Sequence, residues 1–183
     1  MIETERLLIR DWREADLEPF LRHTNTPAVM RWLGGMQDPE AFKARWRERP
    51  MVWQQTRGFT FWALERKADG ELFGFCGLKL LDAPGSGSVE GEIEIGWRLR
   101  EDAWGQGYAK EAASACLDFA FTRLAAPRVI AITVPGNAAS QGLMLRLGMR
   151  RREDLDFEDP RFGPELNPTI VYEIEAKEWL DRR

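Results

Sequence analysis

Two glycines in Trp104-Gly105-Gln106-Gly107-Tyr108-Ala109-Lys110-Glu111-Ala112-Ala113 impose a turn that passes directly into an alanine-rich amphipathic segment. Gly105 and Gly107 admit backbone dihedrals that a side chain forbids and let the main chain come close to a bulky anion. Behind them Ala109, Ala112, Ala113, Cys116 and Ala120 recur at helical spacing, which predicts a helix over 108–124 with a small-residue face suited to close packing on a sheet. Ahead of the turn, Glu92-Ile93-Glu94-Ile95-Gly96-Trp97-Arg98-Leu99 reads as a strand by its alternation. Arg128-Val129-Ile130-Ala131-Ile132-Thr133-Val134 is a second strand, entered after a helix and therefore a candidate parallel neighbour of the first through a crossover.

The first turn of a helix carries N–H groups without intrahelical partners, and the helix dipole adds partial positive charge there. A phosphate is a natural guest, and we read the turn as a pyrophosphate cradle. It is not a P-loop, which needs Gly-x-x-x-x-Gly-Lys-Ser/Thr. Nor is it a dinucleotide fingerprint, which needs a third glycine and an acid about 20 residues on.

Residues 7–12 read as a first strand and 13–23 as a helix, with Pro27 breaking the pattern. A short apolar stretch over 29–33 ends in Gly34-Gly35. Asp38-Pro39-Glu40 has the form of an N-cap with proline at the first helical position, and Pro50 ends or kinks the helix that follows. Phe42 and Trp46 lie one turn apart on it, an aromatic stripe that suits core packing or, with Trp32 and Trp53, a pocket wall. Residues 58–66 and 71–81 are β-rich runs joined by an Asp69-Gly70 turn. A glycine- and serine-bearing loop over 82–89 then leads to the 92–99 strand, making three consecutive antiparallel strands. Asn137 caps a helix over 138–147 that Gly148 closes, and 149–155 and 169–176 read as the last two strands around an irregular loop at 159–164. There is no internal repeat and no sign of a second domain.

The chain's 183 residues suit one domain, and its 44% hydrophobic and 31% charged content is that of an ordinary globular protein. No apolar run approaches the about 18 residues a membrane span needs, and no basic-then-apolar leader pattern opens the chain, so the expected location is cytoplasmic. A net charge of −4 gives no general pull toward nucleic acid. The acids cluster at 90–94 and 154–159, where an acidic pocket lip would favour a cationic amine, although solvated loop charge also accounts for the second cluster. Cys76 and Cys116 sit in apolar contexts and are expected as buried thiols. His23 is the only histidine, expected in a structural role, and with no paired cysteine motif the chain offers no metal site.

The strand 92–99, the Trp104-Gly105-Gln106-Gly107-Tyr108-Ala109 turn, Asn137-Ala138-Ala139-Ser140, and Leu145-Arg146-Leu147-Gly148-Met149 occur in the order seen in the GCN5-related N-acetyltransferase (GNAT) superfamily, and the chain resembles it from about Thr4 to Tyr172. The superfamily's Gln/Arg-x-x-Gly-x-Gly/Ala falls on Trp104-x-x-Gly107-x-Ala109. The aromatic in the first place departs from the general pattern but is similar to the branch of RimJ/RimL-type ribosomal-protein N-terminal acetyltransferases, as is the opening Thr4-Glu5-Arg6-Leu7. The resemblance implies an α+β fold: a mixed, mostly antiparallel twisted sheet of about seven strands flanked by helices, with a V-shaped splay between the fourth and fifth. It implies acetyl-coenzyme A as acetyl donor and a primary amine as acceptor, either a protein N-terminus or a small molecule, with the chain a monomer or homodimer. The alternative is a non-catalytic acyl-coenzyme A-binding or sensing module of the same fold.

On this resemblance the amides of Gly105, Gln106, Gly107, Tyr108, Ala109 and Lys110 hold the pyrophosphate, Trp104 is a further cofactor-binding residue, and free strand-edge groups near Trp97, Arg98 and Leu99 pair with the peptide-like pantetheine. Gly96 is either a bulge that opens that edge or a packing glycine. An alkyl amine must lose a proton before it attacks a thioester, and a carboxylate can take it. Alternation turns Glu92 and Glu94 to one side of their strand. Glu94 matches the glutamate that serves as base in histone-type members and is the candidate base, with Glu92 in reserve. Ser140 matches the branch's proposed acid for the departing thiolate, Tyr172 is the weaker alternative, and Asn137 matches a pantetheine contact as well as a helix cap. With no serine or cysteine nucleophile beside a histidine, direct attack in a ternary complex follows.

Overall fold

The Asp69-Gly70 turn, with Gly70 at φ 71°, folds β3 (Phe61–Arg66) back on β4 (Leu72–Leu80), and β4 pairs in turn with β5 (Ile93–Leu99), both antiparallel. These strands form the centre of a computed structural model that describes residues 1–182. β1 (Ile2–Glu3) and β2 (Leu7–Arg10) extend the sheet on one side. On the other side α5 (Tyr108–Thr122) crosses over to β6 (Arg128–Thr133), parallel to β5, followed by α6 (Ala138–Arg146), β7 (Arg150–Arg151) and β8 (Ile170–Glu175). The order is β1-β2-β3-β4-β5-β6-β8-β7, a mixed sheet with one parallel pair.

Among the described residues eight strands stand where about seven were expected, because Ile2 and Glu3 pair with β2. The strand expected over 149–155 is a strand only at Arg150–Arg151, since the Leu155 N–H turns back to the Arg152 carbonyl at 3.1 Å and curls the chain. Beyond α1 (Leu17–Thr24), α2 (Pro27–Met30) and α3 (Pro39–Glu48), Pro50 both ends α3 and opens α4 (Pro50–Thr56), a helix not foreseen. Nor was α7 (Ala176–Leu180), which starts on a reciprocal Glu175/Glu178 capping box. The Asp38 cap is as expected, its carboxylate accepting the Ala41 N–H at 2.8 Å.

The two sheet faces carry different cores. Ile95 and Leu99 share one face with Cys76, Leu78 and the small side of α5, where Ala112, Ala113, Cys116 and Ala120 are fully buried. Cys76 and Cys116 are free, buried thiols; contact with Cys76, then burial, push the Cys116 thiol up. The other face holds an aromatic cluster of Trp12, Phe20, Phe42, Trp46 and Phe75, with Phe42 and Trp46 rings 4.7 Å apart. The Phe42/Trp46 stripe is therefore core, while Trp32 and Trp53 are only half-buried. Beneath α1, Arg10 is buried between Asp16 and Glu65, each at 2.7 Å. No helix among the described residues is long and apolar enough to cross a membrane.

One detail of topology positions everything that follows. β5 and β6 pair at a single position, Glu94 with Ile130, and toward Leu99 and Thr133 they part. β5 itself is unbroken against β4, from Gly74 opposite Leu99 to Leu80 opposite Ile93, so no bulge at Gly96 opens the edge. Gly96 is a packing glycine there: a Cβ would stand 2.9 Å from the Phe61 ring.

Candidate active site

A groove of about 830 Å³ runs through this notch from one face of the sheet to the other. On the α5 side its floor is the glycine turn. Gly105 and Gly107 adopt φ of 73° and 83°, and Gly107 is the N-cap of α5. The first helical bond runs from the Glu111 N–H to the Gly107 carbonyl at 3.0 Å. Among the described residues no protein acceptor takes the N–H groups from Gly105 through Lys110. Six successive donors at a helix N-terminus fit a diphosphate. Trp104, Gly105, Gly107, Tyr108, Ala109 and Lys110 line the groove; Gln106 does not, and its carbonyl instead accepts Arg6 Nη1 at 2.9 Å.

The turn is braced by residues that sequence spacing did not connect to it. Glu111 accepts from Thr4 Oγ1 at 2.6 Å, the Arg6 N–H at 2.9 Å and Arg6 Nε at 2.6 Å, and the Arg6 guanidinium lies 4.4 Å over the Tyr108 ring. Burial pushes the Glu111 carboxyl up, but these bonds outweigh it and hold it below the ordinary range. Glu111→Ala should cost about 2 kcal/mol of stability at neutral pH, read by thermal melts. Because the folded-state value is depressed, this stabilisation is present above the unfolded value and fades as pH falls through the folded one, so the two melting curves should converge in acid.

The part of β5 that faces the notch follows from its pairing. The Arg100 N–H bonds Phe73 and the Leu81 N–H bonds Glu92, so the even-numbered residues exchange bonds with β4 while Ile95, Trp97 and Leu99 turn their peptide groups toward β6. Trp97 and Leu99 thus offer free edge groups, although the Leu99 carbonyl already accepts Trp104 Nε1 at 2.9 Å. The Arg98 backbone is committed to β4, and its side chain lies on the opposite face from α5.

Glu94 sits at the apex of the notch, 6% exposed, and lines the groove. Lys79 Nζ is 3.0 Å from Oε2 but out of hydrogen-bond line, so that oxygen is buried without a hydrogen bond. Burial pushes the Glu94 carboxyl up, against the pull of Lys79. Burial alone would push Lys79 down, but Glu94 and Asp82, the latter at 2.6 Å, outweigh it and hold the ammonium charged. Lys79 faces Glu94 across the β4/β5 register, a neighbour that counting along the hairpin could have found. Glu92 is paired with Arg128 at 2.8 Å and does not line the groove.

On the far wall Ser140 and Asn137 both line the groove, with Asn137 Oδ1 accepting the Ser140 N–H at 3.2 Å as the cap of α6. No protein group bonds the Ser140 hydroxyl among the described residues. Tyr172 lies outside the lining; it is buried, and its hydroxyl pairs with Gln141 Oε1 at 3.2 Å. The mouth on the other sheet face is roofed by Trp32, whose ring fills the space a Cβ at Gly136 would need, and by Phe162, which does the same at Gly34. The acids expected at the lip are largely neutralised: Asp154 by Arg152, Asp156 by Arg151, and Asp159 by Arg161. Half-buried His23 lies in α1, outside the groove.

Residues 6–150 match the family model described as Acetyltransferase (GNAT) domain. The chain is 32% identical over 149 residues to YkkB of Bacillus subtilis (strain 168), covering 80% of this chain and 83% of that one. It is 28% identical to the uncharacterized N-acetyltransferase YnaD of the same strain, covering 97% and 98%. Among solved structures, an acetyltransferase from Agrobacterium tumefaciens str. C58 superposes with a TM-score of 0.76 at 26% identity, over 95% of this chain and 93% of that one. The ribosomal-protein-S5-alanine acetyltransferase of Vibrio fischeri shares the fold, with a TM-score of 0.72 at 16% identity over 97% of each chain.

Proposed function

The chain belongs to the GNAT acetyltransferase domain family, and from that premise we propose that it is an acetyl-coenzyme A-dependent N-acetyltransferase acting on a primary amine by direct attack in a ternary complex. The observation that carries the reading is the groove joining the free N–H donors of Gly105 and of Gly107 through Lys110 to Glu94 by way of the β5/β6 notch. The finer affiliation is the RimJ/RimL type, supported by the Thr4-Glu5-Arg6-Leu7 opening and the Trp104 turn. The acceptor is then a protein N-terminal amine or a small-molecule amine.

Acetyl-coenzyme A supplies an activated thioester. The N–H groups of the turn bind the diphosphate, and the peptide groups of Trp97 and Leu99 orient the arm along β5, with Asn137 opposite. Glu94, raised by burial toward the operating pH, takes a proton from the acceptor ammonium. The N–C bond forms, the C–S bond breaks, the Ser140 hydroxyl protonates the leaving sulfur, and the surplus proton on the acylated nitrogen returns to Ser140, giving the acetylated amine and coenzyme A thiol. The polarised thioester oxygen needs a main-chain N–H of β5, a role that requires no particular side chain.

The test is incubation with acetyl-coenzyme A and an amine and peptide panel, read by thiol titration and by the mass gain of one acetyl group. Acetyl-coenzyme A binding without turnover on any acceptor would replace this reading with the sensing module. Ser140→Ala should lower kcat about tenfold or more, whereas Tyr172→Phe should leave it within about twofold because its hydroxyl is engaged with Gln141. The reverse result would make Tyr172 the acid.

A further inference from the structure

The acceptor side of the groove contains a cation that the protein leaves unpaired. Arg98 projects from β5 on the same face as Glu94 and Gly96, with its guanidinium 5.5 Å over the Phe75 ring and 5.8 Å over the Phe20 ring. Its Nε is sealed from solvent and bonds nothing, and among the described residues no carboxylate lies within ion-pair reach of it. On this face of the sheet Lys79 is matched by Glu94 and Asp82, and Arg161 by Asp159. Arg45, whose charge acts on Arg98, is also positive, and its Nη2 donates to Gln37 Oε1 at 3.1 Å. Burial, then Arg45, push the Arg98 guanidinium down to about 10, so it remains a cation at neutral pH. The ring faces offset a small part of the hydration it has lost.

A guanidinium in this state is a receptor for a planar anion, since its fork of donors matches a carboxylate in a bidentate pair. Arg98 is four residues along the strand from Glu94, roughly 13 Å between backbone positions, and the Phe61 ring packed over Gly96 lines the groove between them. An acceptor laid along the Phe61 ring meets a proton acceptor at one end and an anion receptor at the other.

We propose that the acceptor is a small primary amine bearing its own carboxylate, an amino acid or short peptide, with the carboxylate held by the Arg98 side chain and the amine directed to Glu94. This rests on the acetyltransferase reading above. Transfer forms the N–C bond at the amine, breaks the C–S bond of the thioester and leaves the carboxylate unchanged, so the products are an N-acetyl carboxylate and coenzyme A thiol.

The test uses matched pairs, each an amino acid or dipeptide and its carboxamide, on wild type, Arg98→Met and Arg98→Lys. Two readouts are taken: coenzyme A release, and the melting-temperature shift of the coenzyme A-loaded protein on adding each compound. In wild type at least one carboxylate should exceed its carboxamide in kcat/KM by about tenfold or more, and Arg98→Met should erase that ratio while acetyl-coenzyme A affinity is retained. Arg98→Lys should restore part of it, and guards against a folding defect in the methionine variant. Equal turnover of acids and amides, a ratio unchanged in Arg98→Met, or an Arg98→Met variant that has lost acetyl-coenzyme A binding instead would overturn the proposal and leave the acetyltransferase reading standing. No turnover with any compound, but a carboxylate-specific thermal shift that disappears in Arg98→Met, would reject the transfer chemistry and keep the anion site. Neither turnover nor such a shift would reject both.

Discussion

Glu94→Gln should lower kcat by about 10²- to 10³-fold while acetyl-coenzyme A affinity changes by less than about threefold. The size of the effect follows from placement. Glu94 is the groove-lining carboxylate at the point where β5 and β6 part, 6% exposed, and its neighbour Lys79 does not hydrogen-bond the nearer oxygen. Glutamine keeps the shape and removes the basicity. The pH profile carries a second signature. A base works only when ionised, and burial raises this carboxyl above the ordinary glutamate value. In wild type kcat/KM should therefore climb with pH on a limb above that value, and the limb should be missing in Glu94→Gln. Steady-state rates from acid to neutral pH test both statements; a variant with full kcat and an unchanged limb would remove Glu94 from the chemistry and return the role to a water or another group.

Gly107→Val should weaken acetyl-coenzyme A binding by about 10- to 100-fold. Gly107 caps α5 at φ 83°, in the left-handed region, where a β-branched residue is strained by about 1–3 kcal/mol. The added atoms would also begin in contact with Arg6 Nη2, 3.4 Å from the position of Cβ. The free protein escapes this strain by relaxing the turn, so binding must restore the costly conformation and loses affinity accordingly. Because the helix behind is held by its small-residue face on the sheet, the melting temperature should fall only modestly. Isothermal calorimetry gives the affinity, and unaltered binding in a folded variant would show that the diphosphate lies elsewhere.

Local grammar made most of this architecture legible. The Asp69-Gly70 hairpin, the Asp38-Pro39 start, the Asn137 cap and the Gly148 stop each depend on a few adjacent residues, and each stands where spacing predicted. Elements with weak periodicity were missed, such as α4, whose seven residues have no run of buried neighbours. The site was legible where it is made of backbone, because glycines and alternation report directly on main-chain geometry. It was less so where it depends on distant partners. The Thr4 and Arg6 bonds to Glu111 span more than 100 positions, |i−j| of 107 and 105, and nothing in either stretch points to the other. Arg98 illustrates a different limit: the strand motif marked its position, but that its backbone belongs to β4 and its guanidinium to the opposite face follows only from register.

The lone rung between Glu94 and Ile130 has a mechanical consequence. The residue that closes the fork of the sheet is the same one whose carboxylate faces the cavity, so opening or narrowing the fork rotates that carboxylate with it. Bulk added at fully buried Ile130, which does not itself line the groove, should therefore disturb reactivity more than equal bulk in the roof loops, which ride on the fork without setting its angle.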